Sequence, residues 1–256
     1  MERRTRGDCA FICGHWPLIP ERSTLIFIHG AGQSSLLRQA QVEGLKDRVN
    51  TVAIDLPGHG RSGGRARKRI EDYAAGMIDF IAAVAAPNLI PCGLSMGGAI
   101  TQQLLLDHAA HFRAGIIVNS GARLRVLPSL FEMINTNMPA YVEMIDRLGF
   151  SAKTPAAVKR PFLEDSLNAR PEVTHGDFKA CDQFDVMPRL GSIRAPVLVI
   201  SAELDQLTPP NYGEFLEKRI PNAVRAHIRD AGHFVPIEKP LELNAAITRF
   251  LDHHEL

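Results

Sequence analysis

One serine in the chain stands among glycines at the joint between two apolar segments. Residues 89–109, LIPCGLSMGGAITQQLLLDHA, run apolar as far as Gly93, turn through Gly93-Leu94-Ser95-Met96-Gly97 and resume as a helical pattern. A G-x-S-x-G turn between strand and helix holds its serine in strained backbone. The positions two residues to either side must lack bulk so that strand and helix can approach. The Ser95 Oγ then stands out at the sheet's edge, and the Met96 N–H at the helix start points to where an oxyanion would form. Taken alone, the pentapeptide is equally a plain tight turn.

A serine hydroxyl is a poor nucleophile without a base, and the base needs an orienting acid. Both partners follow in chain order, each just beyond a strand pattern: Asp205 in VISAELDQLTPP and His233 in IRDAGHFVPIEKP. Glu203 is the nearest rival acid, but its longer side chain would have to approach the histidine differently. Asp230 is so close to His233 in the chain that it reads as a turn residue. The other histidines, His59 and His227 among them, lack a strand-end placement after the acid. One N–H leaves an oxyanion half supported, so a second donor is required. FIHGAGQSS (27–35) supplies it at Ala31, just after the first core strand. The same segment does not fit a phosphate cradle, because it matches neither G-x-x-x-x-G-K-[ST] nor G-x-G-x-x-G.

Positioning these groups requires a sheet whose strands end together. Five nearly continuous apolar runs, TLIFIHG (24–30), TVAIDLPG (51–58), NLIPCGLS (88–95), AGIIVNSG (114–121) and APVLVISAE (195–203), read as strands covered on both faces, as in a parallel sheet. VRAHIRDAGH (224–233) is a sixth strand pattern. Helical patterns at 35–48, 70–85, 99–112, 210–220 and 240–254 alternate with them, which implies right-handed crossovers and helices on both faces. Some 70 residues between IIVNSG and APVLVIS contain no good strand. Such a length is improbable as structureless loop, so it reads as a helical insertion over the carboxyl ends of the strands, where open α/β sheets place their ligand crevice.

The bulk composition narrows the classes further. The 256 residues are 45% hydrophobic and 22% charged, with 29 Lys+Arg against 28 Asp+Glu. A net charge of +1 gives no electrostatic footprint for nucleic acid. The one basic run, RSGGRARKRIED (61–72), reads as an exposed loop before a helix. No stretch approaches the roughly 20 apolar residues of a membrane span. The N-terminal residues lack the apolar core of a secretory signal, and with only four cysteines this points to a reducing, cytoplasmic setting. Cys9 and Cys13, even with His15 nearby, are too lightly accompanied for zinc. No segment suggests a dinucleotide, metal or haem, so no cofactor is expected.

With HGAG, DLPGHGRS (55–62), GLSMGG, ELDQLTPP and AGHFVPIEKP in that order, the chain resembles the α/β-hydrolase fold family over essentially its whole length. The resemblance implies a mostly parallel, doubly wound sheet. The core would be 1–121 and 191–256, with a helical cap over 122–190. It further implies Ser95 as nucleophile, Asp205 as acid, His233 as base, and Ala31 and Met96 as oxyanion amides. Gly30, Leu94, Phe131, Met138 and Phe234 are the expected substrate contacts. Met133, Met144, Phe150, Phe162 and Met187 could either line an acyl pocket or form the core of the cap. The lead CAFICGHWPLIPERS is less regular than the family's first hairpin. Serine rather than aspartate at the elbow argues against dehalogenase or epoxide hydrolase chemistry. The expected activity is hydrolysis of a small or medium carboxylic ester. An enol-lactonase, a carbon–carbon bond hydrolase and a slow-turnover ligand receptor remain as alternatives.

Overall fold

A strand covered on both sides has no polar face, and TLIFI, NTVAI, LIPCGL, GIIV and VLVISA are buried at every position. In the computed structural model, which describes all 256 residues, they lie within one eight-stranded sheet. Its strands are β1 (Glu2–Arg6), β2 (Cys9–Cys13), β3 (Thr24–Ile28), β4 (Asn50–Ile54), β5 (Leu89–Leu94), β6 (Gly115–Val118), β7 (Val197–Ala202) and β8 (Ala223–Ile228). The spatial order is β1-β2-β4-β3-β5-β6-β7-β8. β3 to β8 run parallel, while β2 pairs antiparallel with both β1 and β4. Pro91, which has no N–H to give, precedes the β5–β6 ladder, whose first pair is Cys92–Ile116.

The lead segment is more regular than its sequence suggests. ERRTR and CAFIC form a hairpin, with the first strand exposed and the second buried. An all-apolar strand beside an all-polar one hides the alternation by which strands are usually recognised. The arginines on β1 also discourage further strand pairing at this open edge.

Period-two alternation splits each central strand between two apolar layers. Ile26, Ile28, Val52, Ile54 and Ile117 face one side, where α2 (Ile70–Val84), α3 (Met96–Asp107) and α8 (Pro210–Arg219) pack. Leu25, Phe27, Ala53, Ile116 and Val118 face the other, against α1 (Gln39–Leu45) and α10 (Pro240–His253). The helical pattern at 35–48 is shorter than expected. Ser34 Oγ accepts the Leu36 N–H, a 3₁₀ turn occupies Ser35–Arg38, and α1 begins only at Gln39.

The strandless interval between β6 and β7 forms α4 (Pro128–Thr136), α5 (Met138–Gly149), α6 (Ala156–Leu167) and α7 (Pro171–Gln183). Its prolines mark the starts of three of these helices, where a missing N–H has no consequence. A further short helix, α9 (Val235–Glu238), follows β8. The order of strands reverses between β3 and β5, and the carboxyl ends on either side of that switch face the insertion.

Candidate active site

The β5–α3 turn places Ser95 at φ 55° and ψ −117°, a conformation that L-residues rarely adopt. Neighbouring glycines make it possible. A Cβ on Gly93 would lie 1.8 Å from the Gly97 carbonyl oxygen, and one on Gly97 would lie 2.3 Å from that of Ile28. The turn is anchored to the next strand. Ser95 N–H donates to Val118 O at 3.0 Å, and Ser120 Oγ donates to Ser95 O at 2.7 Å. Met96 heads α3, so its N–H has no carbonyl one turn earlier in the helix to accept it.

Asp205 lies beyond the end of β7 and His233 beyond the end of β8; both are buried. His233 Nδ1 meets Asp205 Oδ2 at 2.8 Å, which leaves Nε2 available for the proton of another group. The carboxylate is further tied by the Leu207 and Thr208 N–H groups, each 2.9 Å from Oδ1, and by Thr208 Oγ1, 2.8 Å from Oδ2. Burial works to raise the Asp205 pKa. The adjoining His233 ring, as charge and as hydrogen-bond partner, together with the Thr208 donors, nevertheless holds it below the ordinary carboxylate value.

Asn119 joins these elements. Its Oδ1 accepts the Ala202 N–H at 2.9 Å, while Nδ2 donates to His233 O at 2.9 Å and Gly232 O at 3.2 Å. The insertion holds the same loop through Gly149 O, which accepts the His233 N–H at 2.7 Å. Glu238 strengthens that joint by accepting from Gly232 N–H on one oxygen and from Ser151 N–H and Thr154 Oγ1 on the other.

The loop after β3 carries the second set of amides. His29 is buried between Gly30 O, 2.8 Å from Nδ1, and the Leu56 N–H, 3.0 Å from Nε2. Nδ1 must therefore be the donor and Nε2 the acceptor, which is the neutral ring. Burial, helped by the nearby His59, pushes the His29 pKa down to about 3. The Gly30 carbonyl shares a peptide plane with the Ala31 N–H, so the His29 donor fixes that plane. Gly30 N–H donates to Gln33 Oε1 and Gly32 N–H to Asp177 Oδ2, but the Ala31 N–H donates to no other group of the protein.

Ala31, Ser95 and His233 open together onto a cavity of about 310 Å³ whose wall is mostly apolar. Met133, Met144, Ile145, Phe162 and Phe178 from the insertion line it, as does Phe234. Four of the expected substrate contacts lie elsewhere. Leu94 is fully buried within β5, Gly30 is turned toward Gln33, Phe131 packs on His175 at 5.1 Å between ring centroids, and Met138 packs at the margin of the core. Nor do Phe150 and Met187 reach the wall. Hydrophobic type and helical spacing do not tell which side of a short helix faces the cavity. The rival acid Glu203 is exposed and accepts the Asp230 N–H at 2.9 Å, away from the histidine.

Sequence reasoning assigned no role to Thr208, Asn119 or the buried group His59, Tyr73 and Asp177. Asn119 stands out as a polar residue ending an apolar strand, but as it is not an acid its place in the chain gave no sign of a structural role. Asp177 carries no local signal, since its partners lie more than 100 residues away.

Comparison with known proteins agrees with this architecture. A family model described as "Alpha/beta hydrolase family" matches residues 25–246. The 3-oxoadipate enol-lactonase 2 of Acinetobacter baylyi is 26% identical over 243 residues, covering 89% of this chain and 88% of the relative. A pimeloyl-[acyl-carrier protein] methyl ester esterase of Vibrio vulnificus is 24% identical, covering 88% and 93%. Among solved structures, a thermophilic esterase superposes with a TM-score of 0.85 at 30% identity, covering 99% of this chain and 98% of the other. The enol-lactonase from Burkholderia xenovorans LB400 superposes at 0.86 with 21% identity over 98% and 100%, a likeness of fold. No helix is long and apolar enough to cross a membrane.

Proposed function

The chain belongs to the alpha/beta hydrolase family, and we propose that it cleaves a small or medium carboxylic ester with Ser95 as nucleophile, His233 as base and Asp205 as orienting acid. One observation carries this reading: a serine held at φ 55° opens onto the same cavity as a histidine whose far nitrogen is bound to a buried carboxylate at 2.8 Å. His233 Nε2 takes the Ser95 hydroxyl proton as Oγ attacks the carbonyl carbon. The negative charge that develops on the carbonyl oxygen is received by the Ala31 and Met96 N–H groups. Collapse expels the alcohol, which leaves with the proton from His233, and the acyl group remains on Ser95. Water then repeats the sequence, releases the carboxylic acid and restores the serine.

The helical segment 122–190 acts in this reading as a cap that selects the acyl group. Its Met133, Met144 and Phe162 give the cavity a dry, adaptable wall. A volume of about 310 Å³ is at the lower end of ligand pockets and suits a short ester better than a long lipid. A lactone is the second reading, favoured by the 26% and 25% identity to two 3-oxoadipate enol-lactonases of Acinetobacter baylyi. The chemistry is the same, except that the leaving oxygen stays tethered to the acyl group.

The test is a panel of p-nitrophenyl esters of increasing chain length beside simple lactones, with Ser95→Ala as control. Turnover of a short ester that vanishes in the variant, together with fluorophosphonate labelling of the wild type alone, is the expected result. Equal hydrolysis by both proteins would remove Ser95 from the mechanism. Preference for lactones over every ester would select the second reading.

A further inference from the structure

Beneath the loop that bears Ala31 lies a polar group the proposed reaction does not use. Asp177, on α7, is completely buried. Its Oδ2 accepts the Gly32 N–H at 2.8 Å and meets His59 Nε2 at 2.6 Å. Its Oδ1 accepts the Tyr73 hydroxyl, whose oxygen in turn accepts the Arg67 N–H at 3.0 Å. His59 Nδ1 faces the Pro57 carbonyl at 3.2 Å, so both ring nitrogens face acceptors, the pattern of an imidazolium. A carboxylate at the centre of a protein is tolerated when it is paired and fully hydrogen-bonded, and this one is. Three other segments of the chain converge on it: the β3 loop, the β4 loop and α2.

The atom held is informative. Two peptide planes flank the Ala31 Cα. His29 fixes the first, which carries the Ala31 N–H, through the Gly30 carbonyl. Asp177 fixes the second through the Gly32 N–H. An anion attracts that N–H and would repel the Ala31 carbonyl if the plane turned over. Gly32 stands at φ 66°, and a Cβ there would come within 2.9 Å of the Thr174 side chain, also on α7. The helix therefore bears directly on the loop at two adjacent points.

We propose that Asp177 is a positioning residue for the oxyanion amide of Ala31, so that the hole is completed by a side chain from the helical insertion and not by the sheet alone. The proposal rests on the reading of Ser95 and Ala31 given above. Its consequence falls on the transition state: the loop direction matters little to a neutral carbonyl and much to the charged oxygen that replaces it. Asn at 177 preserves shape but removes the charge. If its NH₂ takes the place of Oδ2, it abuts the Gly32 N–H.

Asp177→Asn, Tyr73→Phe and Asp165→Asn are compared with the wild-type chain, using the best p-nitrophenyl ester and an aryl trifluoromethyl ketone that adds to serine as an oxyanion. Asp165→Asn is the control, because Asp165 joins the insertion to the same loop through Ser34 Oγ at 2.7 Å without touching the amides. Removing a whole oxyanion donor lowers kcat about 10²–10³-fold. Displacing one should lower it by roughly 10–100-fold in Asp177→Asn, within that bound. KM should stay within about threefold of wild type, with a parallel loss of affinity for the ketone. Tyr73→Phe should show a smaller loss of the same kind, and Asp165→Asn neither loss. Unchanged kcat and ketone affinity in Asp177→Asn, or a change in KM or melting temperature alone, overturns the proposal. Should Asp177→Asn not fold, Tyr73→Phe decides: wild-type kcat and ketone affinity there overturn the proposal equally. Full activity in Ser95→Ala would instead refute the parent reading, which separates the two failures.

Discussion

Replacing Asn119 by Ala should destabilise the protein more than any surface change, although Asn119 touches no substrate atom in the proposed mechanism. Its side chain satisfies three buried backbone groups: the Ala202 N–H and the carbonyls of Gly232 and His233. Truncation leaves all three unpaired, and each such group costs about 1–3 kcal/mol, so the loss should be about 3–9 kcal/mol. Asn119 also stands at φ 41°, a region that Asn adopts more readily than Ala and that adds about 1 kcal/mol. For a chain of this size, each kcal/mol lowers the melting temperature by roughly 2–4 °C, so a fall of about 8 °C or more is expected. Asn119→Asp is the sharper variant. It keeps the acceptor for Ala202 but sets a carboxylate oxygen against two carbonyls, so it should be no more stable than Asn119→Ala. Urea unfolding with an unchanged slope measures the loss, and initial rates on the best ester measure the accompanying misplacement of His233. A loss under 1 kcal/mol in Asn119→Ala would show that water or local relaxation replaces the side chain, and the argument from unpaired groups would fall.

Three further outcomes follow from distances in the site. Gly97→Ala puts a Cβ 2.3 Å from Ile28 O and 2.7 Å from His29 O, so backbone must move by about 1 Å; a fall in kcat of about 10²-fold is expected, and wild-type fluorophosphonate labelling would contradict it. Thr208→Val removes the hydroxyl donor to Asp205 but keeps the backbone N–H donor, so kcat should fall several-fold with KM unchanged, and Thr208→Ser should restore it. The third concerns pH. Burial alone would lower the His59 pKa, but the Asp177 charge and hydrogen bond carry it above the ordinary 6.5, while its neighbour His29 stays neutral and Asp165 and Tyr73 lie close to the same pair. A raised pKa stabilises the fold fully below pH 6.5, and the contribution is lost as pH rises through the folded value. The melting temperature should therefore decline above pH 6.5 more steeply in wild type than in His59→Gln, and parallel curves would show that the pair is not ionised.

The amino-acid order by itself determined the five central strands of the sheet, because an apolar run bounded by Gly or Pro is best satisfied when both of its faces are covered. It also determined the turn at Ser95, since only glycine fits at 93 and 97 when strand and helix approach to within the distances found. Asp205 and His233 were legible for a related reason: each is a chemically capable residue just beyond a strand, and parallel strands end together. The walls of the cavity were not legible. Phe131 and Met138 have the same hydrophobic character as Met133 and Phe162, and only helix rotation within the insertion decided which pair meets the cavity. The hairpin at the amino terminus was hidden because its two strands separate polar from apolar residues between them and do not alternate within themselves. Asp177 was the least legible of all. A carboxylate in a helix reads as a solvated face until three distant segments close over it, and that closure is a property of three-dimensional packing, not of any neighbourhood in the chain.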